Sequence, residues 1–469
     1  MTAQMQFVEP NKRVRLGEKK FRKIQRGQDL VEAFAWFSAI AIVAMFLIDG
    51  GVKSITDVAS FSSALSRVAA LVATDLLLIH TLLVARVPWI DRLYGHDRAT
   101  LTHKKLGKPI LYLVVLHFLA EITGYALADG KNLVDEYLSV LATVPDMLTA
   151  TIALVLMILV VVTSLNFARR KLSYEAWYIV HLLAYASILA AVPHQFSTGV
   201  DIAGKPLQTF YWVSLYLFVL GNILWFRILS PFVMSYARGL RVTATTRESS
   251  DSTSIYVGGT NLHSFAAKSG QFFMLRVMTP KQWWRPHPFS LSAAPNSKNL
   301  RFTVGQRGDD TALLQDIKPG TRVVLEGPYG VFTEDRRTRE KVTLIAAGIG
   351  APPIRALAES MAARPGDINI IYRVREQSDA PLVDELTEIA RRRGFKLNVL
   401  EGKRGDPKSW MPAGENQVPD QARLVEMAPW VSESDVFICG PAAWTKQVVK
   451  TLHRVGTPEN QIHAEEFAW

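Results

Sequence analysis

Six apolar stretches of about twenty residues crowd the first half of this 469-residue chain, near residues 30–48, 67–87, 106–127, 147–168, 174–193 and 209–229. A helix of about 20 apolar residues crosses the ~30 Å hydrocarbon core of a bilayer, and a helix satisfies its own backbone polar groups there. The pattern predicts an all-α bundle of six spans embedded in the lipid bilayer. The first stretch, from about Leu30 to Ile48, is too long for a signal-peptide core and lacks a convincing cleavage site, so it reads as a span.

Loop charges orient the bundle. Arg86, Arg92, Arg98, Lys104, Lys105 and Lys108 crowd the second loop, and Arg169, Arg170 and Lys171 the fourth. Asp49, Asp57, Asp129, Asp135, Glu136 and Asp201 mark the first, third and fifth. Positive residues stay inside, so both termini are expected in the cytoplasm of a cell-membrane protein. The net charge of +11 raises nucleic acid as a partner, but the basic residues flank apolar spans, and membrane orientation explains them better. The single cysteine, Cys439, excludes an intrachain disulfide framework.

Inside the spans lie two histidine pairs, His103 with His117 and His181 with His194, spaced 14 and 13 residues apart. At ~1.5 Å per residue each pair covers roughly 20 Å of depth. Ionisable residues at that depth are costly and mark function. Both helices run outward, so the pairs align in parallel as two rungs, and two rungs of bis-imidazole ligation suggest two stacked haems. His103 with His181 would hold the inner iron, His117 with His194 the outer. On an ideal helix His117 returns to within about 40° of the face of His103, whereas His194 sits about 140° from His181. Pro193 would have to bend or end that helix to restore alignment. The alternative is that each histidine makes an interhelical hydrogen bond. Asp75 and His80, in the second span, are expected to face the bundle interior and to satisfy each other or a backbone carbonyl.

After Arg238 the grammar changes to short alternating segments, Leu240–Thr246, Ser254–Val257, Gln271–Val277, Leu300–Gly305 and Arg322–Glu326, separated by Gly and Pro turns. These predict a small antiparallel β-barrel. From about Lys341 strands alternate with helices, at Val342–Ala346, Ile368–Tyr372, Lys396–Leu400 and Val436–Cys439, which predicts an α/β parallel sheet able to bind a nucleotide. The expected parts are a basic segment 1–29, a transmembrane domain 30–235, a barrel 236–335 and an α/β domain 336–469.

Four stretches of this half carry chemistry. His287-Pro288-Phe289-Ser290-Leu291-Ser292 follows Trp283, Trp284 and Arg285. Gly308-Asp309-Asp310-Thr311 can open a helix with bare amides toward a phosphate. Gly348-Ile349-Gly350-Ala351-Pro352 directly follows a strand and lets a pyrophosphate approach. Cys439-Gly440-Pro441 ends a strand, and Glu466-Phe467-Ala468-Trp469 ends the chain.

In this order the histidine ladder, His-Pro-Phe-Ser, Gly-Pro-Tyr-Gly at 327–330, the Gly-x-Gly loop, Cys-Gly-Pro and the aromatic terminus resemble the NADPH oxidase/ferric reductase superfamily over about residues 30–469. The resemblance implies a six-helix di-haem domain fused to a ferredoxin-reductase-like FAD/NAD(P) module. It implies that His287, Pro288, Phe289, Ser290 and Ser292 hold FAD, with Ser290 at the reactive edge of the flavin. Arg285 and His287 would meet the pyrophosphate, which Gly308 and Thr311 cap. Gly348, Gly350 and Pro352 would bind the dinucleotide, with Cys439, Gly440 and Pro441 beside the nicotinamide. Trp469 would cover the flavin as a gate; its alternative role is to anchor the C-terminus. For Phe289 and Ser292 the alternative is an ordinary core position.

The expected activity is electron transfer from cytoplasmic NADPH through FAD and two b-type haems to an extracytoplasmic acceptor. Arg373 and Arg375, where a 2′-phosphate would lie, favour NADPH over NADH. The acceptor is O₂, giving superoxide, or a ferric chelate; an electron-relay subunit serving a separate extracytoplasmic protein is the alternative. Members of the superfamily that act as oxidases often place a histidine one turn past the outer ligand. Glu121 stands there instead. Arg67, at the outer edge of the second span, would favour an anionic acceptor.

Overall fold

The computed structural model describes residues 18–413 and 418–467. The chain divides into two compact units, one of residues 26–228 and one of residues 229–469 together with the first 25.

The first unit contains the apolar helices α1 (Glu18–Ile48), α2 (Val58–Leu82), α3 (His96–Asp129), α4 (Met147–Ser164), α5 (Tyr174–Ser197) and α6 (Pro206–Asn222). Among the described residues six helical segments are long and apolar enough to cross a membrane, the last running from Pro206 to Ala237. The second span starts at Val58 rather than near 67. Asp57 and Ser60 form a reciprocal capping box that nucleates the helix there. The serines of its first turns had masked that start in the hydropathy. Two short helices, Pro88–Tyr94 and Leu133–Thr143, sit in the connections.

Polar side chains staple these helices in pairs. α2 lies along α3, joined by Ser62 Oγ donating to the Ala120 carbonyl at 2.7 Å. α4 lies along α5, joined by Ser187 Oγ donating to the Ala153 carbonyl at 2.7 Å. Within apolar surroundings such bonds specify register, because hydrophobicity does not discriminate between helix faces. Asp75 is fully buried, but it takes a hydrogen bond from Ser38 of α1 at 2.6 Å and makes none with His80. Ser38 in turn meets the Tyr211 hydroxyl of α6 at 2.8 Å.

The second unit holds two kinds of sheet. Strands β1 (Arg241–Ser249), β2 (Ser252–Gly258) and β5 (Asn299–Gly305) form one antiparallel sheet in the order β1-β2-β5. Strands β3 (Phe272–Val277), β4 (His287–Ser290) and β6 (Val323–Tyr329) form another, in the order β4-β3-β6. Phe273, Leu275, Leu291, Phe302 and Leu325 fill the space between them. The expected closed barrel is not formed. Among the described residues the two sheets are linked by the isolated bridges Arg241–Arg322 and Leu291–Phe302 and by backbone bonds next to them, such as Val323 N–H to the Leu240 carbonyl. β4 remains an edge strand whose Pro288 lacks an N–H, as edge strands tolerate.

The α/β part is a five-stranded parallel sheet of β7 (Val342–Ala347), β8 (Ile368–Val374), β9 (Lys396–Glu401), β10 (Asp435–Pro441) and β11 (Ile462–Phe467), in the order β11-β10-β7-β8-β9. The fifth strand, β11, was not expected. Its pairing with β10 runs from Val436↔Ile462 to Pro441↔Phe467.

A buried charge cluster ties the antiparallel part to the α/β part. Arg301 of β5, only 2% exposed, reaches Glu385 of helix α8 (Val383–Arg393) at 2.7 Å and the Ser292 hydroxyl at 3.0 Å. Arg355 of helix α7 (Ala351–Ser360) meets Glu385 at 2.6 Å and pairs with Glu359. Glu359 accepts the Ala294 N–H at 2.6 Å. Burial opposes ionisation of Glu385, yet the Arg301 hydrogen bond and the Arg355 charge hold its carboxyl below the usual range. Each charge here is countered, which is the condition for burying it at all.

Candidate redox site

Two of the ladder histidines face each other. The ring centroids of His103, on α3, and His181, on α5, are 6.0 Å apart at 72°. A metal–imidazole bond of about 2 Å on each side, plus about 1 Å from ring centre to nitrogen, separates two axial imidazoles by roughly 6 Å. The first rung fits one iron.

The neighbouring helices determine which nitrogen is left bare. His103 Nδ1 donates to the His80 carbonyl at 3.0 Å, since a carbonyl only accepts. Ser66 Oγ sends its one proton to the His117 carbonyl at 3.0 Å, so at 2.7 Å it accepts from His117 Nδ1. Ser164 Oγ likewise donates to the Val160 carbonyl at 2.7 Å and accepts from His181 Nδ1 at 3.2 Å. A proton on Nδ1 of each ring satisfies all of these contacts at once and leaves Nε2 its lone pair. This is the arrangement in which histidines bind metals, the second nitrogen being held by an outer partner. His194 Nδ1 is buried with no protein partner. Pro193 does not end α5, which continues to Ser197.

Inside α2, Arg67 is bound by Asp201, with Nε to Oδ2 at 2.7 Å. Its charge is therefore matched within the protein rather than left for an anionic acceptor, contrary to expectation.

In the second unit, β4 lies against β3 in the register Phe272↔Ser290 to Leu275↔His287. Ser290 is 4% exposed and its Oγ has no hydrogen-bond partner. Burial pushes His287 below the usual imidazole range, a shift Asp310 opposes and Arg285 reinforces, and its Nε2 is also unpartnered. Arg285 pairs with Asp310, so His287, Arg285 and the 308–311 turn are brought together. Two orphaned polar atoms on one short strand are what an absent polar ligand leaves behind. Phe289 and Ser292 differ from expectation. The Phe289 ring belongs to the core between the sheets, and the Ser292 hydroxyl holds Arg301. Gly308 precedes the seven-residue helix Asp309–Gln315, whose first turn carries two carboxylates. The Thr311 hydroxyl accepts the Arg307 N–H at 2.7 Å within its own turn.

The parallel sheet has its switch point between β7 and β10, where neighbouring strands continue to opposite sides, and nucleotides bind outside the carboxyl ends of such strands. Gly348 and Gly350 follow β7 there, and Cys439, Gly440 and Pro441 end β10. Gly348 has φ +51 and faces open space, a conformation that favours glycine. A Cβ on Gly350 would lie within 2.1 Å of the Cys439 carbonyl, so only glycine lets the loop close onto β10. Pro352 is buried in the first turn of α7. The Cys439 side chain is fully buried in the sheet core, where desolvation and then Glu465 raise its thiol well above the usual range. It is therefore a neutral packing group; Gly440 beside it is also buried, and Pro441 is the exposed residue of this strand end. Arg375 is exposed just beyond β8, but Arg373 is 8% exposed and bonds the Val374 carbonyl. Trp469 lies outside the described residues.

Three family models match the chain: a ferric reductase like transmembrane component over residues 69–192, an FAD-binding domain over 241–333 and an oxidoreductase NAD-binding domain over 344–450. In their order along the chain the three matches correspond to a fusion of the ferric reductase/NADPH oxidase type. This fusion is 27% identical over 243 residues to the ferredoxin reductase component of 3-ketosteroid-9-alpha-monooxygenase from Mycolicibacterium smegmatis, covering 50% of the chain and 66% of the relative. It is 28% identical over 238 residues to a flavohemoprotein from a Burkholderia species, covering 49% and 59%. The chain thus spans less than two thirds of these relatives' own length. Among solved structures it is similar to the FAD/NAD-binding domain of a nitric oxide dioxygenase from Vibrio cholerae, at 22% identity and TM-score 0.38 over 49% of this chain and 97% of that one.

Proposed function

We propose that this protein is a transmembrane flavocytochrome b oxidoreductase, moving electrons from cytoplasmic NADPH through FAD and two b-type haems to an extracytoplasmic acceptor. The observation that carries it is the tautomer control of the ladder: three of its four histidines have Nδ1 held and Nε2 bare. Interhelical hydrogen bonding alone does not require the rings of His103 and His181 to stand with their centroids 6.0 Å apart. When bound, FAD accepts a hydride and releases electrons singly, and the haems carry them one at a time.

The chain's own residues bind and orient. His103 and His181 take the inner haem and His117 and His194 the outer. Neutral His287 and the Ser290 hydroxyl supply polar atoms to the flavin, with Arg285 beside its pyrophosphate. The Gly348–Gly350 loop and the Cys439–Pro441 strand end form the dinucleotide cleft. Loop charges support both termini lying in the cytoplasm. The acceptor is O₂ or a ferric chelate, with an extracytoplasmic electron-accepting protein as the alternative. The purified protein, given NADPH anaerobically, should show full haem reduction, followed by reoxidation when O₂ or ferric citrate is added. Haem that stays oxidised under NADPH refutes the assignment. Reduced haem that neither acceptor reoxidises points to the protein partner.

Arg375, exposed past β8, selects NADPH through its 2′-phosphate, a charge-assisted contact of roughly 1.5–3 kcal/mol. Arg375→Ala should raise KM for NADPH at least about tenfold and leave NADH little changed. Equal losses with both cofactors would make the residue structural.

A further inference from the structure

His80 is the one intramembrane histidine that the ladder does not use, and it touches the ladder twice. Its ring, on α2, stacks on the ring of His103, on α3, with centroids 3.7 Å apart and planes at 13°. Its carbonyl takes the His103 Nδ1 hydrogen bond at 3.0 Å. The opposite ligand has a similar pair of restraints, the Ser164 hydroxyl on Nδ1 and the Trp177 ring stacked at 4.9 Å and 24°. On α3, Gly107, one turn beyond His103, lies beside this ring. A Cβ there would come within 3.8 Å of His80 Nε2.

A hydrogen bond to Nδ1 fixes the tautomer and the direction of the ring but leaves it free to rock about the line from Nδ1 to Nε2. A parallel ring in van der Waals contact removes that freedom, because rocking drives one edge into the neighbour. The stack also places an aromatic face, with its negative quadrupole, against an imidazole that shares positive charge with an oxidised iron. Axial-ligand orientation and outer hydrogen bonds are the protein's levers on haem potential.

We propose that His80 is a positioning residue for His103, holding the plane of that imidazole by stacking and so setting the reduction potential of the inner haem. The inference rests on the reading of His103 and His181 as inner ligands.

The test compares purified parent, His80→Ala, His80→Phe and His103→Ala by haem content, redox titration and low-temperature electron paramagnetic resonance. His80→Ala should retain both haems, because the carbonyl remains. It should change the reduction equilibrium of one haem at least threefold, about 28 mV for a one-electron couple, and move that haem's low-spin signal. The haem affected should be the one that His103→Ala removes, and the other should not move. His80→Phe, which restores a stacked ring without a ring nitrogen, should return both readouts to parent values. Unmoved potentials and signals in His80→Ala overturn the proposal, as does a His80→Phe variant displaced as far as the alanine. If His103→Ala keeps both haems, the ligand assignment itself fails; if it loses one while His80→Ala moves nothing, only the role of His80 fails.

Discussion

Purified His103→Ala and His181→Ala variants should each carry one haem where the parent carries two, and His117→Ala and His194→Ala should each lose the other. The effect is all-or-none at one site, because an axial imidazole has no substitute within a rung. The 6.0 Å spacing of the His103 and His181 rings leaves room for one iron and no spare ligand between them. The outer partners give a graded control. Removing the Ser66 hydroxyl frees His117 Nδ1 while keeping the ligand, and losing such a partner costs about 10–100-fold in affinity. Ser66→Ala should therefore bind the outer haem more weakly without abolishing it. Pyridine haemochrome content per protein is the measurement. Single histidine variants with the parent's stoichiometry would exclude the ladder as the haem site.

Ser290→Ala should slow flavin reduction by NADPH roughly tenfold to a hundredfold, equivalent to losing a hydrogen bond of about 1.5–3 kcal/mol to a group that gains charge in the transition state. The basis is the orphaned hydroxyl on β4, 4% exposed and without a partner. A buried unsatisfied hydroxyl is a net cost to the fold, about 1–3 kcal/mol. Its removal should then leave the melting temperature of the FAD-free protein equal or higher. FAD content should stay near the parent's, because a dinucleotide is held by many contacts. Stopped-flow flavin bleaching under anaerobic NADPH reads the rate. An unchanged rate with full FAD would place Ser290 away from the reactive edge. Slow reduction together with a lower melting temperature would make the residue structural.

Much of the candidate site was legible in the sequence, and the legible part was of one kind. Spans show as runs of apolar residues because the lipid requirement acts on about twenty consecutive positions at once. The Gly348–Gly350 loop and the Cys439–Pro441 strand end show because backbone constraints select glycine and proline locally. Strand positions from β1 to β10 were legible to within a few residues from alternation and turns, apart from β4, known only as a motif. β11 was read as a C-terminal motif, and only pairing with β10 makes it a strand.

The rest depended on which distant segments meet. Arg301 and Glu385 are 84 positions apart. Nothing near Arg301 says that its charge is countered, or that Ser292 would hold it rather than a cofactor. Arg373 and Arg375 look equivalent in sequence, but the first is the penultimate residue of β8, buried and bonded to the Val374 carbonyl, while the second lies past the strand end and is exposed. A closed barrel and two sheets joined at isolated bridges have the same local pattern, since closure is decided by edge pairing. The sequence by itself determined six apolar spans, two spaced histidine pairs and the order of nucleotide motifs, all written in neighbouring residues. Tertiary structure alone decided which ring nitrogens stay bare and that His80 lies on His103. Those outcomes follow from helix faces brought together across the bundle, where a serine hydroxyl or a carbonyl contributes only through the partner that packing gives it.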